Sequence, residues 1–486
     1  MSSPAFWPHL NRWLVSLHRW SGVALFLVVI AWFASGVVLL YVPFPALPES
    51  DRLAHSEAVD GQRLMHTPAE ALAKAPGTEQ LVLTSVAGHP TYLAWPASGS
   101  PVVISADDAP VTVSALTAQT VAEHFAQTRS ISVEGPLAYD QWIVHQRFDP
   151  FRPFYRVRLG DADQTDLYVS ARTGQVLQRT RGAERGWNWA GAVLHWIYFT
   201  PLRKSWSAWN QTVWWLSLIT LLTSMVGTWL GIHRFLKTRA AGRTTWSPFR
   251  GWMKWHHVTG LFASVIVVIW IFSGWLSMDH GRLFSMGHVA PEQAGRFRGL
   301  SLQAVVEAVP TNFVQRTGSA SEFRFSAVAG RPLIAALGGQ SEAGRVWWLD
   351  EPGAPPTREI DGSLLMAGLR AAWPNAGLIE SVVSRPDFYA VAESLGSTAV
   401  GFNIGTPNPS RVYVDSVSGS LLVVMDRSRR TYAWVYYALH TFNFPALIDR
   451  PGLRQTSVLL LMLVGIAFSA TGAVLGFKRL RRTLAR

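Results

Sequence analysis

Read for the spacing of apolar and charged positions, the chain falls into two kinds of segment. Four stretches, 20–42, 206–232, 258–278 and 457–477, carry no charged residue over about the 20 residues that take a helix across a bilayer. Trp and Tyr gather at their ends, at Trp13, Trp20, Tyr41, Trp206, Trp209, Trp214, Trp252 and Trp255, where amphipathic rings settle at headgroup depth. The first stretch is longer than the apolar core of an export signal and has a counterpart in the chain interior, so it is expected to be retained. Between the stretches the pattern changes. Alternation in QLVLTSV, TYLAW, FYRVRLGD, TDLYVSARTGQVL, TAVGFNI and SRVYVDSVSGSLLVV predicts strands, while LTAQTVAEHFAQ and GSLLMAGLRAAW predict amphipathic helices. The turns VSARTG and VDSVSG place Gly174 and Gly419 where a hairpin needs positive φ.

The expected fold is an integral membrane α-helical bundle of four transmembrane helices with two exported α+β modules. Its segments are 1–42 with the first span, 43–205 as the first module, the span 206–232, a loop 233–257, the span 258–278, 279–455 as the second module, the span 456–477 and a tail 478–486. The order is a repeat. His18, Gly22, Ser35 and Gly36 recur at one constant spacing as His256, Gly260, Ser273 and Gly274. At a second constant spacing Tyr168, Gly174, Trp189, His195, Phe199 and Gly227 recur as Tyr413, Gly419, Trp434, His440, Phe444 and Gly472. Such long registers point to two copies of one unit.

Charge changes the picture by its location. The net charge is +12, which by itself fits an acidic partner such as nucleic acid. The excess resides in three segments without any Asp or Glu: Arg12 and Arg19; Arg234, Lys237, Arg239, Arg243, Arg250 and Lys254; and Lys478, Arg479, Arg481, Arg482 and Arg486. That is the positive-inside bias, so both termini and the middle loop are expected in the cytoplasm, with both modules outside. Nucleic-acid binding loses its support. The chain has no cysteine, which excludes disulfides, thiolate iron–sulfur clusters and covalent haem attachment. No glycine-rich dinucleotide loop or Walker motif occurs either.

The candidate chemistry is in the histidines. His18 and His256 fall at the cytoplasmic ends of the first and third spans, each with a glycine one turn on, Gly22 and Gly260, which clears room for a flat macrocycle. In a bundle connected in sequence order the first and third helices can stand diagonally, so these histidines can face each other across a haem iron. His195 and His440 end short apolar segments followed by Pro201 and Pro445, prolines expected to stop a helix at the outer interface. They make a second symmetric pair. The competing readings are half-buried headgroup histidines and aromatic interfacial helices with an incidental histidine. His257, His233 and His280 are second choices, while Arg19, Arg203, Lys204 and Arg450 are possible propionate partners. His55, His66, His89, His124, His145 and His288 are expected to be ordinary surface residues.

LHRWSG, WNWAGAVLHWIY, YYALH, the Ser-Gly and Thr-Gly helix ends and the Y-V-x-x-x-(T/S)-G turns together resemble the PepSY-associated transmembrane-helix family, iron-regulated membrane proteins that include the PiuB and FoxB types. The resemblance implies a bacterial inner-membrane haem b protein with PepSY-like periplasmic modules that reduces ferric siderophores in the periplasm, and the two histidine pairs lead to an expectation of two haems b per chain. The implied partners are a ferric siderophore, a cytoplasmic or quinol electron donor and membrane lipid. It assigns no catalytic residue beyond the haem ligands. Two rival functions remain: a haem-based carrier to another periplasmic acceptor, and a non-redox PepSY protein that binds peptides or a partner. A transporter is disfavoured because the spans lack buried carboxylates.

Overall fold

The structure, a computed structural model, describes residues 6–284, 288–339, 344–377, 379–382, 387–405 and 409–485. The first five residues of the N-terminal segment and the last residue of the basic tail lie outside that range. Two units emerge, one of Met1–Phe44, Gly186–Phe284 and Thr431–Arg486, the other of Pro45–Arg185 and Ser285–Arg430.

In the first unit each charge-free stretch lies within a longer helix: α1 (Phe6–Tyr41), α2 (Trp206–Ala240), α3 (Gly251–Ser277) and α4 (Pro451–Leu484). All four are long and apolar enough to cross a membrane. They overrun the apolar stretches at the basic ends because Arg and Lys are good helix formers. Charge marks the expected edge of the hydrocarbon, while the helix runs on. His18 therefore stands about three turns inside α1. Both α1 and α3 pack against α2 and α4, which sets α1 and α3 on one diagonal of the bundle, as the order of connection suggests.

The bundle core is Phe33, Leu221, Ala263, Val267, Trp270, Ile271 and Val458. Helices in lipid gain little from apolar burial and associate through close packing at small residues. Gly465 of α4 is such a place, since a Cβ there would fall 2.2 Å from the Phe33 ring of α1. Leu27, Trp215, Phe262, Val265, Leu460 and Phe477 point outward and are exposed, so the helices are apolar all round as a membrane span is.

Two short segments join this bundle. Trp189–Val193 and Ala433–Ala438 are π-helical turns, a form that occurs mostly at functional sites. Two residues past His195 and His440 the chain reverses at Ile197 (φ 52) and Phe442 (φ 57), a left-handed conformation that a residue with a side chain holds at a cost of about 1–2 kcal/mol. Pro201 and Pro445 do not stop these segments. They sit in the first turns of the next short helices, Thr200–Arg203 and Pro445–Ile448, where a missing N–H is harmless. The His195 and His440 segments thus belong to the helical unit, and the other unit ends at Arg185 and Arg430, short of the expected boundaries at 205 and 455.

The second unit takes β1 (Thr78–Val86), β2 (His89–Pro96), β3 (Val102–Ser105), β4 (Ser130–Leu137), β5 (Phe154–Leu159), β6 (Asp166–Ser170) and β7 (Val176–Thr180) from the first soluble segment. The second soluble segment supplies β8 (Glu322–Val328), β9 (Arg331–Leu337), β10 (Arg345–Trp348), β11 (Ile379–Ser381), β12 (Ala399–Ile404), β13 (Ser410–Asp415) and β14 (Leu421–Met425). Each predicted strand appears. Gly174 and Gly419, at φ 72 and 68, close the β6–β7 and β13–β14 turns. The two segments do not form separate modules. One six-stranded sheet runs β10-β9-β8-β1-β2-β3, joined where Val82, Leu83 and Thr84 pair antiparallel with Arg324, Phe323 and Glu322. A shared core of Leu81, Leu83, Tyr92, Phe313, Phe323 and Phe325 lies on it. Each segment keeps a four-stranded sheet of its own, β4-β5-β6-β7 and β11-β12-β13-β14. The join is locked by Glu322, whose carboxylate accepts from Arg52 at 2.9 Å and Arg324 at 2.7 Å.

Candidate functional site

The diagonal of the bundle brings the predicted histidines together in pairs. The ring centroids of His18 and His256 are 6.5 Å apart and those of His195 and His440 are 6.3 Å apart. A metal ion bonds an imidazole nitrogen at about 2.0–2.1 Å and the ring centre lies about 1.1 Å further on, so two rings on opposite sides of one ion have centroids about 6.4 Å apart. Both pairs meet that spacing. Along α1, His18 and Ser35, the latter a contact of His195, are separated by about 25 Å of helix rise, most of the roughly 30 Å hydrocarbon layer.

Hydrogen bonds fix how each ring is presented. Nδ1 of His18 lies 3.1 Å from the carbonyl oxygen of Thr223, which can only accept, so Nδ1 carries the proton. Nδ1 of His195 lies 3.2 Å from the carbonyl of Trp32 and 3.0 Å from Ser35 Oγ. Nδ1 of His440 repeats this with Trp270 at 3.2 Å and Ser273 at 3.1 Å. For His256 the partner is Thr471 Oγ1 at 3.0 Å. That hydroxyl donates its proton to Phe468 O at 2.6 Å and so accepts from the ring. All four histidines are the Nδ1–H tautomer, and among the described residues none of their Nε2 atoms has a hydrogen-bond partner. A neutral imidazole with Nδ1–H tied back and Nε2 open is the form that ligates a metal.

A glycine of a neighbouring element underlies every ring. A Cβ at Gly227 of α2 would fall 2.4 Å from His18 Cε1, at Gly274 of α3 3.0 Å from His440 Cε1, at Gly472 of α4 3.5 Å from His256 Cε1, and at Gly36 of α1 3.7 Å from His195 Cε1. Gly22, expected to clear space beside His18, faces open space, while Gly260 lies against Phe468. Gly36, Gly227, Gly274 and Gly472 are legible only as positions of the repeat, Thr471 only as part of a Thr-Gly helix end, and Thr223 leaves no signal.

The second-choice residues are engaged elsewhere. His257 is buried and donates from Nε2 to the Gly231 carbonyl at 2.9 Å, the opposite tautomer, so it ties α3 to α2. His233 lies flat on Trp229 at 5.0 Å. Nδ1 of His280 is 2.9 Å from Asn210 Oδ1, with its ring against Trp214. Arg19, Lys204 and Arg450 are exposed. Arg203, only 1% exposed, is held among the rings of Tyr198, Trp206 and Trp209 at 4.7, 5.2 and 4.4 Å, cation–π contacts.

Among the described residues no group of three or more His, Asp or Glu is placed to hold a metal ion unaided. Two imidazoles with open Nε2 atoms and ring centroids 6.5 or 6.3 Å apart suit an ion whose other ligands come with it. Iron in a porphyrin is such an ion, and the donor set fits bis-imidazole ligation without cysteine. Fold and site define a multi-pass membrane protein with α+β extramembrane structure and two paired-histidine sites in its helical bundle. A sequence model of the PepSY-associated TM region matches residues 15–479, nearly the whole chain, and the protein belongs to that family. A search of curated proteins finds no significant match.

Proposed function

We propose that the protein is an inner-membrane di-haem b oxidoreductase that moves electrons across the bilayer to a ferric siderophore in the periplasm and releases Fe(II). The observation that carries this reading is the repeated geometry of two histidine pairs with every Nδ1 committed and every Nε2 open. His18 with His256 would hold one haem and His195 with His440 the other. Bound haem supplies a reversible one-electron Fe(III)/Fe(II) couple at each end of the bundle.

The chain's own residues hold the ligand rings still. Thr223, Thr471, Ser35 and Ser273 keep the Nδ1 protons in place through the redox cycle, and the apolar core of Phe33, Val267 and Trp270 keeps water from the space between the sites. By the positive-inside bias of the basic ends, the His18 site would face the cytoplasm and the His195 site the periplasm. A quinol that gives up two electrons and two protons serves two ferric chelates, each of which takes one electron. The reduced iron carries less charge, hard oxygen ligands hold it less firmly, and it is freed.

The test is anaerobic. Dithionite-reduced protein in detergent is mixed with a ferric hydroxamate siderophore and a ferrous-iron chromophore. Reoxidation of the haem with matching Fe(II) formation is expected. Haem that stays reduced beside the chelate, yet reoxidises with a periplasmic extract, would make the chain a carrier for another acceptor.

A further inference from the structure

The two sites differ in how many acceptors surround each imidazole Nδ1–H. At the His18–His256 site each Nδ1–H has one acceptor, the Thr223 carbonyl at 3.1 Å and the Thr471 hydroxyl at 3.0 Å. At the other site each Nδ1–H has two. His195 reaches Ser35 Oγ at 3.0 Å and Trp32 O at 3.2 Å, and His440 reaches Ser273 Oγ at 3.1 Å and Trp270 O at 3.2 Å. The serines lock the arrangement, since Ser35 donates its own proton to Trp32 O and Ser273 donates to Trp270 O, both at 3.2 Å. Each hydroxyl oxygen is therefore left only to accept. The serines are 1% and 0% exposed, so bulk water does not compete for these bonds.

A stronger pull on Nδ1–H makes Nε2 a more basic ligand, and a more basic axial ligand favours Fe(III) over Fe(II). We propose that Ser35 and Ser273 are positioning residues that set the haem between His195 and His440 at a lower reduction potential than the haem between His18 and His256. The inference rests on the di-haem reading above. Its consequence is a division of labour. The His18–His256 site is the easier to reduce and collects electrons from the donor, while the His195–His440 site is the stronger reductant. A strong reductant at the delivering end is what a ferric chelate demands, because hard oxygen ligands stabilise Fe(III) and make its reduction difficult.

The experiment is a spectroelectrochemical titration of the purified, haem-loaded chain, with His18→Ala and His195→Ala variants used to assign the two midpoints. The lower midpoint is expected to disappear in His195→Ala and persist in His18→Ala. Replacing both serines, Ser35→Ala with Ser273→Ala, leaves one acceptor per ring and should raise that midpoint alone. The oxidised-to-reduced ratio at fixed potential should change about tenfold, which for a one-electron couple is about 59 mV. Ser35→Thr with Ser273→Thr keeps the hydroxyls and should restore the original value. The proposal is overturned if the serine variant retains both haems with unmoved midpoints, if both midpoints move equally, or if the lower midpoint belongs to the His18–His256 site. Wild-type protein that binds no haem overturns the di-haem reading itself, a distinct result read directly from the absence of a Soret band.

Discussion

Gly227→Ala adds a single methyl group at the place where the account is most exposed. A Cβ there would meet His18 Cε1 at 2.4 Å and Nδ1 at 3.0 Å, against 3.4–4 Å for ordinary contact. The ring has to retreat by about 1 Å, and overpacking of that size costs about 1–3 kcal/mol. The retreat also strains the bond to Thr223 and changes the spacing of the His18 and His256 rings. At 1.4 kcal/mol per tenfold, the strain weakens haem binding at that site by about 5- to 150-fold. Gly472→Ala is the matched control. Its Cβ would stand 3.5 Å from His256 Cε1, ordinary van der Waals contact, and alanine in place of glycine favours a helix by about 1 kcal/mol. Haem added in steps to apo protein, followed at the Soret maximum, reads both variants. Gly227→Ala should lose or weaken one of two binding phases, while Gly472→Ala keeps both. Equal loss in both variants, or full affinity in Gly227→Ala, would refute the argument from clearance.

Three other outcomes are expected. His18→Ala or His256→Ala should remove one haem signal and His195→Ala or His440→Ala the other, with chain insertion intact because the spans stay apolar; spectra of the four purified variants decide. Reporter fusions at Gly99 and Gly339 should be active only outside the cytoplasm, and cytoplasmic activity would reverse the orientation. Burial acts to raise the Glu322 carboxyl, but Arg52 and Arg324 outweigh it and hold it down to about 2, against 4.5 for an ordinary glutamate. The stability it contributes is therefore complete above about pH 4.5 and lost as the pH falls toward 2. Glu322→Gln should flatten that limb of an acid titration followed by tryptophan fluorescence, and Glu322→Ala, which leaves the exposed Glu49 as the carboxylate beside both guanidinium groups, should destabilise the protein by less than the about 3–5 kcal/mol of a fully unpaired buried charge.

Much of this architecture is legible in the chain because it rests on local signals. The charge-free stretches, the period-two strands and the turns at Gly174 and Gly419 each express a preference of a few consecutive residues. The histidine pairs are legible for a different reason: the repeat places His18 over His256 and His195 over His440, and connection order places α1 opposite α3. What escapes is set by long-range pairing. β8 and β9 alternate no more clearly than their neighbours, and nothing local says that Glu322 will lie opposite Thr84, so two apparent modules come to share one six-stranded sheet. The partners of Nδ1 escape for a like reason. Thr223 supplies a backbone carbonyl, which every residue has, and the Thr-Gly helix end at Thr471 does not say which ring its hydroxyl meets. Arg203 looks like a propionate partner from its depth alone, and only the fold surrounds it with Tyr198, Trp206 and Trp209. The reversals at Ile197 and Phe442 run against the preference of those residues, so no reading of propensity finds them.

The central claim is that two pairs of imidazoles each hold one haem b, and a pyridine haemochrome assay on purified, full-length protein of known concentration tests it most directly. Two b-type haems per chain are predicted, with a split α band in the reduced spectrum. One haem per chain, or none after growth with ample haem precursor, would contradict the account.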